Sequence, residues 1–164
     1  MKKSSQDLDI FDLRDVALII GVEDYTVKNW TFGKPFSIEP SIRIGSRTFY
    51  DIYDVLTLAI ANEMKELNLG FDLLKKVVPL FRDKIEKESS KPRQNYESFD
   101  WLIVTLNKGT PGIELNRAGT DRNIELYSYR SNDAVFLVNF ARVVASIKTR
   151  RMNLDTLREE KGKE

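Results

Sequence analysis

Between Phe11 and Val78, stretches of helical hydrophobic period alternate with glycines, and this order constrains the fold more than any other feature of the chain. The first stretch is introduced by Asp12, a residue type that caps helix N-termini. It is followed by Gly21, the residue type that most easily adopts the left-handed conformation ending a helix. The sequence therefore predicts a first helix over residues 11–20, with its apolar positions at Leu13, Val16, Ala17 and Ile20.

A second short helix is predicted from Asp24, as its capping residue, to about Thr31. Val27 and Trp30 face inward in this interpretation, and large aromatics such as Trp30 mostly contribute buried area. The opposite face is polar and consists of Tyr25, Thr26, Lys28 and Asn29. Two helices joined by such a short turn form a helix-turn-helix.

Residues 32–41 contain Gly33, Pro35 and Pro40 and are predicted to form a loop. Gly45-Ser46 then separates two short β-prone runs, 42–44 and 48–50, which is a hairpin signal. Asp51 is predicted to cap a third helix ending near Leu67. Its apolar stripe consists of Ile52, Val55, Leu56, Ala59, Ile60, Met64 and Leu67.

Gly70 ends the third helical pattern, and a fourth begins near Phe71. Pro79 lies inside that fourth pattern, so that the helix either kinks there or a new helix begins. Residues 88–97 are polar and include Pro92, which indicates a linker.

Beyond residue 98 the hydrophobic period changes to that of strands. The runs 101–106, 113–115 and 124–126 are predicted strands, and a long helix is predicted from about Asn132. Apolar residues in that helix alternate by four and three, interrupted by Arg150, and such a seam is typical of a coiled coil between two chains. The seam residues are Phe136, Phe140, Val143, Ile147, Leu154 and Leu157.

These patterns predict a mainly α protein with a small β component (α+β). Residues 1–87 are expected to form a winged helix-turn-helix domain and residues 88–98 a linker. Residues 99–164 are expected to form a small antiparallel sheet plus a long C-terminal helix, with a dimerisation or regulatory role.

The chain contains no Cys and no His. This excludes disulfides, thiolate or imidazole metal sites, Cys nucleophiles and His general bases. We find no carboxylate pair at a purposeful spacing, and the Gly109–Gly112 turn is too short for a phosphate loop. The sequence therefore favours a protein that is not an enzyme, with no catalytic residues, no cofactor and no metal.

The formal net charge of +1 provides no global attraction to nucleic acid, but the charge is unevenly placed. Four cations accompany one carboxylate between Tyr25 and Tyr50, whereas six carboxylates accompany three cations in the first 24 residues. No apolar run reaches the roughly 20 residues of a membrane helix. The N-terminus lacks the apolar core of a secretory signal, so we expect a cytoplasmic protein.

Residues 11–78 resemble the winged helix-turn-helix domain of the MerR family, in which a Gly-Val-Ser-x-x-Thr-Leu-Arg-x-Tyr/Trp stretch leads into a Gly-Tyr-Arg-x-Tyr wing and an Asp-Val helix. The run 68–73 also resembles the family's Leu-Gly-Phe entry to its fourth helix. Glu23 departs from the family's capping Ser, and Ser46 from its wing Tyr. Allowing one extra residue in the wing, the matching positions are Gly21, Val22, Thr26, Trp30, Gly45, Arg47, Tyr50, Asp54 and Val55, with close replacements at Val27 and Lys28.

The resemblance implies a homodimer that binds a pseudo-palindromic promoter and pairs through a coiled coil that follows this domain. It also implies a variable C-terminal region that senses a ligand, although residues 99–164 match no effector domain. The Cys-based metal sensing of some members does not carry over, because the chain has no Cys.

Seven residues are candidates for DNA contact, each with a simpler alternative. Lys28 and Asn29 are expected to meet phosphates or base edges, or else to be solvated surface residues. Arg43 and Arg47 at the wing are expected to grip phosphates, or else to protect a strand edge. Tyr25 and Thr26 share the geometry of Lys28 and Asn29, and the alternative for Thr26 is a hydrogen bond within the helix start. Tyr50 is expected either to donate to a phosphate or to close the hydrophobic core.

The C-terminal half offers two weaker candidates. Its aromatic residues could line a ligand pocket, but core packing is the favoured interpretation. A basic group at Lys148, Arg150 and Arg151 could bind phosphate, but is more simply the basic end of a helix. The aromatic residues are Trp101, Tyr127, Tyr129, Phe136 and Phe140.

The sequence hypothesis is therefore sequence-specific binding of double-stranded DNA by a dimeric bacterial transcriptional regulator. Helix 24–31 would enter the major groove and wing 42–50 would lie on the backbone. One alternative is an excisionase-like architectural protein that bends DNA. Another is a winged-helix protein-interaction module that does not bind DNA.

Overall fold

The computed structural model describes residues 10–33, 36, 38, 40, 42–67, 69–92, 94–117 and 134–161. The N-terminal half contains two short helices, a β-hairpin and two longer helices. In chain order these are α1 (Leu13–Ile20), α2 (Asp24–Phe32), β1 (Ile42–Ile44), β2 (Arg47–Phe49), α3 (Ile52–Glu66) and α4 (Phe71–Ser89).

The C-terminal half begins with a short 3-10 helix and continues as three strands and one long helix. The strands form an antiparallel sheet in the order β4-β3-β5. The elements are the 3-10 helix (Tyr96–Ser98), β3 (Phe99–Asn107), β4 (Thr110–Arg117), β5 (Ala134–Asn139) and α5 (Phe140–Lys161). The prediction of helices combined with small antiparallel sheets is thus confirmed at this coarse level.

Reciprocal carboxylate caps explain where α1 and α3 begin. The side chain of Asp12 accepts the backbone N–H of Asp15, and the side chain of Asp15 accepts that of Asp12. Asp51 and Asp54 make the same pair of bonds at the start of α3. Each cap satisfies two N–H groups that a helix start leaves without partners. Gly21 has φ 78° and ends α1 in the left-handed conformation, as the sequence predicted.

Two helix predictions need adjustment. Helix α2 is capped at Glu23, one residue before the predicted Asp24, and no side chain makes the capping bond. Helix α4 runs without interruption through Pro79, so no new helix begins there. It also continues to Ser89, two residues into the predicted linker.

The prediction of a helix from about Asn132 is wrong for residues 134–139, which form β5. Asn132 itself, like the predicted strand at 124–126, lies outside the described residues. The β-branched and aromatic residues of Val135–Val138 suit a strand, and β5 pairs with β3 from Ala134 to Asn139. Phe136 is therefore a strand residue, and the helical seam starts at Phe140.

The rest of the predicted seam packs largely within the chain. Phe140, Val143 and Ile147 are buried in the same apolar cluster as residues of α1, α3 and α4. Leu154 packs against that cluster, and Leu157 is exposed. The predicted division at residues 88–98 stays a prediction, but elements on both sides of it share this core.

A partly buried network joins α4 to the start of α3. Both terminal nitrogens of Arg82 donate to the Asp51 carboxylate at 2.8 Å, and Nη1 also donates to Asp54 at 3.0 Å. The side chain of Asp54 is fully buried. The hydrogen bond with Asp51 is the largest of the effects that raise the pKa of Arg82 above its ordinary value, so this guanidinium stays charged. The planar fork of Arg suits such two-point binding.

We expect Arg82→Ala to lower the free energy of unfolding by about 2–3 kcal/mol, because it leaves the buried carboxylate of Asp54 without this partner. Urea denaturation followed by circular dichroism measures the change. Lys87→Ala, at an exposed position on the same helix, should stay within about 0.5 kcal/mol of the parent. Equal midpoints for the two variants would show that the network does not stabilise the fold.

Candidate nucleic-acid interface

The outer face of α2 is free of the rest of the described chain. Tyr25 is 76% exposed, and Lys28 and Asn29 are also exposed, whereas Thr26 is half-buried. On the inner face Val27 and Trp30 are buried, as predicted. The Nζ of Lys65 in α3 lies 5.8 Å from the centre of the Trp30 ring, a cation–π contact on the inner side of α2. The polar side chains of α2 are therefore accessible to a large partner.

Tyr50 is a core residue, which corrects its prediction as a phosphate ligand. Its side chain is fully buried, and its hydroxyl lies 3.1 Å from the hydroxyl of Thr31 at the end of α2. Its backbone exchanges two 2.9 Å hydrogen bonds with Phe11, just before α1. One residue thus connects the start of α1, the end of α2 and the end of the hairpin.

Asn29 is exposed, but its side chain folds back toward the end of its own helix. A Cβ placed on Gly33 would collide with both the backbone and the side-chain oxygens of Asn29. The backbone N–H of Gly33 donates to the Asn29 carbonyl at 2.8 Å. Gly33 therefore leaves room for this arrangement, and Tyr25 and Lys28 are the other exposed candidates on this face of α2.

The hairpin presents its two arginines on opposite faces. Ile44 pairs with Arg47 and Arg43 pairs with Thr48, and directly opposite residues in an antiparallel pair share a face. Successive residues of a strand alternate between faces, so Arg43 and Arg47 point to different sides. Both are exposed. Gly45 has φ 61°, the left-handed backbone conformation that the tight turn between the strands requires.

A cleft of about 560 Å³ separates the hairpin from α1. Its apolar walls include Leu13 and Phe32, and its polar lining includes Arg14 and Arg47. Arg14 was not among the predicted site residues, because in the sequence it is one of few cations in an acidic flank. Its position in the first turn of α1, immediately after the inward-facing Leu13, was the available signal.

Carboxylates accompany these cations. Glu23 and Asp24 are exposed at the start of α2, and Asp12 is exposed beside the cleft. The exposed cations of α1, α2 and the hairpin are Arg14, Lys28, Arg43 and Arg47. The balance is close to neutral, so any attraction of an anion depends on where the guanidiniums project. Among the described residues no group of three or more carboxylates is arranged to hold a metal ion.

The basic group of the last helix faces the chain itself. Arg150 donates from Nη1 to the backbone carbonyl of Ile19 at 3.3 Å, and its guanidinium covers Gly21. Arg151 lies over the ring of Phe11 at 5.5 Å, and Lys148 pairs with Glu97 at 2.7 Å. These residues lie in the middle of α5, not in its last turns as predicted.

Arg158 extends this attachment toward the start of α1. Its Nη2 lies 2.5 Å from Oδ1 of Asp15, a carboxylate that also takes part in the α1 cap. Helix α5 therefore holds α1 at both ends, through Arg150 and Arg158. The C-terminal aromatics Phe140 and Trp101 are buried and half-buried, and Tyr127 and Tyr129 lie outside the described residues.

Comparisons with known proteins assign no role to these residues. No protein-family model matches the chain, and no curated protein matches it significantly. No described helix combines the length and apolar character needed to cross a bilayer.

Burial gives Tyr50 a testable pH dependence. Desolvation is the largest effect on this phenol and raises its pKa above the ordinary value of 10.0, with Asp54 adding to the rise and the Thr31 bond opposing it. The neutral phenol therefore stabilises the fold fully below about pH 10, and that contribution is lost as pH rises through the folded-state pKa.

We expect the free energy of unfolding to fall as the pH rises above about 10, and to fall less steeply in Tyr50→Phe. Urea denaturation at a series of pH values measures both slopes. Tyr25→Phe, which removes an exposed phenol, serves as the control. Identical slopes in all three proteins would mean that Tyr50 ionises as freely in the folded state as in the unfolded chain.

Proposed function

We propose that the chain is a sequence-specific DNA-binding protein that acts as a transcriptional regulator in the bacterial cytoplasm. Helix α2 enters the major groove as the recognition helix of a winged helix-turn-helix. The β1–β2 hairpin is the wing and contacts the adjacent phosphate backbone. The observation that carries this proposal is the exposure of Tyr25 and Lys28 on α2 beside an exposed hairpin with two arginines.

The geometry of the surrounding elements supports this assignment. A groove-reading helix needs a rigid support behind it, and α2 has Trp30 and Val27 buried against the core. It also needs a turn that fixes it relative to α1, and Gly21 supplies the left-handed residue there. Tyr50 anchors the base of the hairpin to both helices. The tips of α2 and the hairpin therefore hold fixed relative positions, as reading a duplex requires.

Pairing of two copies completes the proposal, because a dimer doubles the contacts and fixes the half-site spacing. The six predicted seam residues do not all remain for this purpose, since Phe140, Val143 and Ile147 are buried within the chain. Met152 and Leu157 are the exposed large apolar residues of α5. A homodimer in this proposal uses the outer side of the distal half of α5.

We expect Lys28→Ala and Arg47→Ala each to weaken binding to a selected duplex about tenfold at 0.1 M monovalent salt, because each removes about one phosphate contact. Each variant should also reduce the dependence of log Kd on log salt concentration by about one unit. Fluorescence anisotropy with a site selected from random DNA measures both quantities. Circular dichroism should show the parent's thermal unfolding in each variant, since both side chains are exposed.

Lys87→Ala is the matched control for these variants. It removes an exposed cation from the far part of α4, beside Ile113 of β4. Its affinity and salt dependence should equal those of the parent. Equal affinity of the Lys28 and Arg47 variants and the parent would remove those residues from the interface.

The carboxylates at the start of α2 favour a second candidate function, docking of a protein partner. Glu23 and Asp24 are exposed where a recognition helix approaches phosphates, and like charges repel there. Exposed Tyr25 is the kind of residue that protein interfaces use. A chain that retards no DNA even at low salt, where electrostatic binding is strongest, would support this function and contradict the first.

Glu23→Ser distinguishes the two functions. The serine can accept an N–H bond that Glu23 does not make, and should stabilise the helix start by about 0.5–1 kcal/mol. For DNA binding, losing one negative charge near the backbone should tighten affinity several-fold. Glu23→Gln, which removes the charge without supplying a good cap, separates the two effects. Unchanged or weaker DNA binding by both variants would place Glu23 away from the duplex.

A further inference from the structure

We propose that the cleft between α1 and the hairpin binds one phosphate group of the DNA backbone, and that Arg14 is its principal ligand. The inference rests on the proposed DNA-binding function and adds Arg14 of α1 to the residues that contact the duplex. The site is formed where Arg14 of α1, Arg47 of β2 and Phe32, the last residue of α2, line one cleft.

The position of the cleft favours a backbone phosphate over a free small molecule. Phe32 continues directly from the exposed face of α2, and Arg47 belongs to the hairpin that flanks that face. A duplex that receives α2 in its major groove carries one backbone strand along the groove edge, toward the hairpin. The cleft is open to solvent over much of its surface, so that a strand can lie across it without threading into a closed cavity.

The charges of the lining fit an anion. Among the described residues neither Arg14 nor Arg47 forms an ion pair, so both guanidiniums are available. Ser46 also belongs to this lining, and its hydroxyl can donate to a phosphate oxygen. Arg is well suited to this role because its fork binds two oxygens of one phosphate.

Asp12 is the single carboxylate among the described lining residues, and it is already engaged. Its Oδ1 accepts the backbone N–H of Asp15 at 2.8 Å as the cap of α1. The apolar walls, Leu13 and Phe32, exclude part of the surrounding water and so strengthen the attraction between guanidinium and phosphate. The exposed ring of Phe32 also offers a surface for the adjoining deoxyribose.

Phosphate-by-phosphate neutralisation tests this contact directly. A selected duplex is prepared as a series in which one phosphate at a time is replaced by an uncharged methylphosphonate. Anisotropy then gives Kd for each duplex with the parent, Arg14→Ala, Arg47→Ala and Lys87→Ala. One methylphosphonate position should weaken the parent about tenfold and Arg14→Ala less than twofold, because that variant has already lost the contact.

The outcomes separate this inference from the function on which it rests. Loss of sensitivity at one position in Arg14→Ala, retained in Lys87→Ala, supports the cleft site. A parent that binds the duplex while Arg14→Ala keeps the parent's affinity and full phosphate profile overturns the site alone. A uniform loss at every position in Arg14→Ala also overturns it, since no single phosphate then couples to Arg14. A parent that binds no duplex overturns both proposals.

Discussion

The N-terminal half of the structure depends on the placement of Tyr50. Its backbone pairs with Phe11 before α1, and its buried hydroxyl meets Thr31 at the end of α2. The next residue, Asp51, caps α3. A single extended residue thus fixes three helices and the base of the hairpin relative to one another. Because a buried phenol is costly without a hydrogen-bond partner, the Thr31 contact makes this arrangement specific as well as compact.

Two ion pairs connect these N-terminal helix starts to α4 and α5. Arg82 connects α4 to the cap of α3, and Arg158 connects α5 to the cap of α1. In both cases the arginine binds a carboxylate that is already committed to a helix start. The exposed residues Tyr25, Lys28 and Arg47 therefore project from supports that are held on several sides. Such rigidity lowers the entropy that a binding surface loses when a partner docks.

The parts of the fold that local chemistry determines were predictable from the sequence. Asp12 and Asp51 indicate helix starts, Gly21 indicates the end of α1, and Gly45-Ser46 indicates a hairpin. Residues 134–139 were misassigned because an apolar run before a helix also fits the helical period, and only pairing with β3 decides for a strand. Of the candidate site, the exposed face of α2 was predictable from spacing. The burial of Tyr50 and the cleft at Arg14 arise from contacts between distant segments, which spacing does not encode.

The guanidinium of Arg150 at Gly21 makes residues far apart in sequence interdependent. A side chain at position 21 would have to adopt φ 78° and also displace Arg150 from the end of α1. Relatives of this protein should therefore carry a bulkier residue at 21 only where 150 is short, so that the two positions change together. The pair also joins α5 to the turn between α1 and α2, because the guanidinium that covers Gly21 donates to the carbonyl of Ile19.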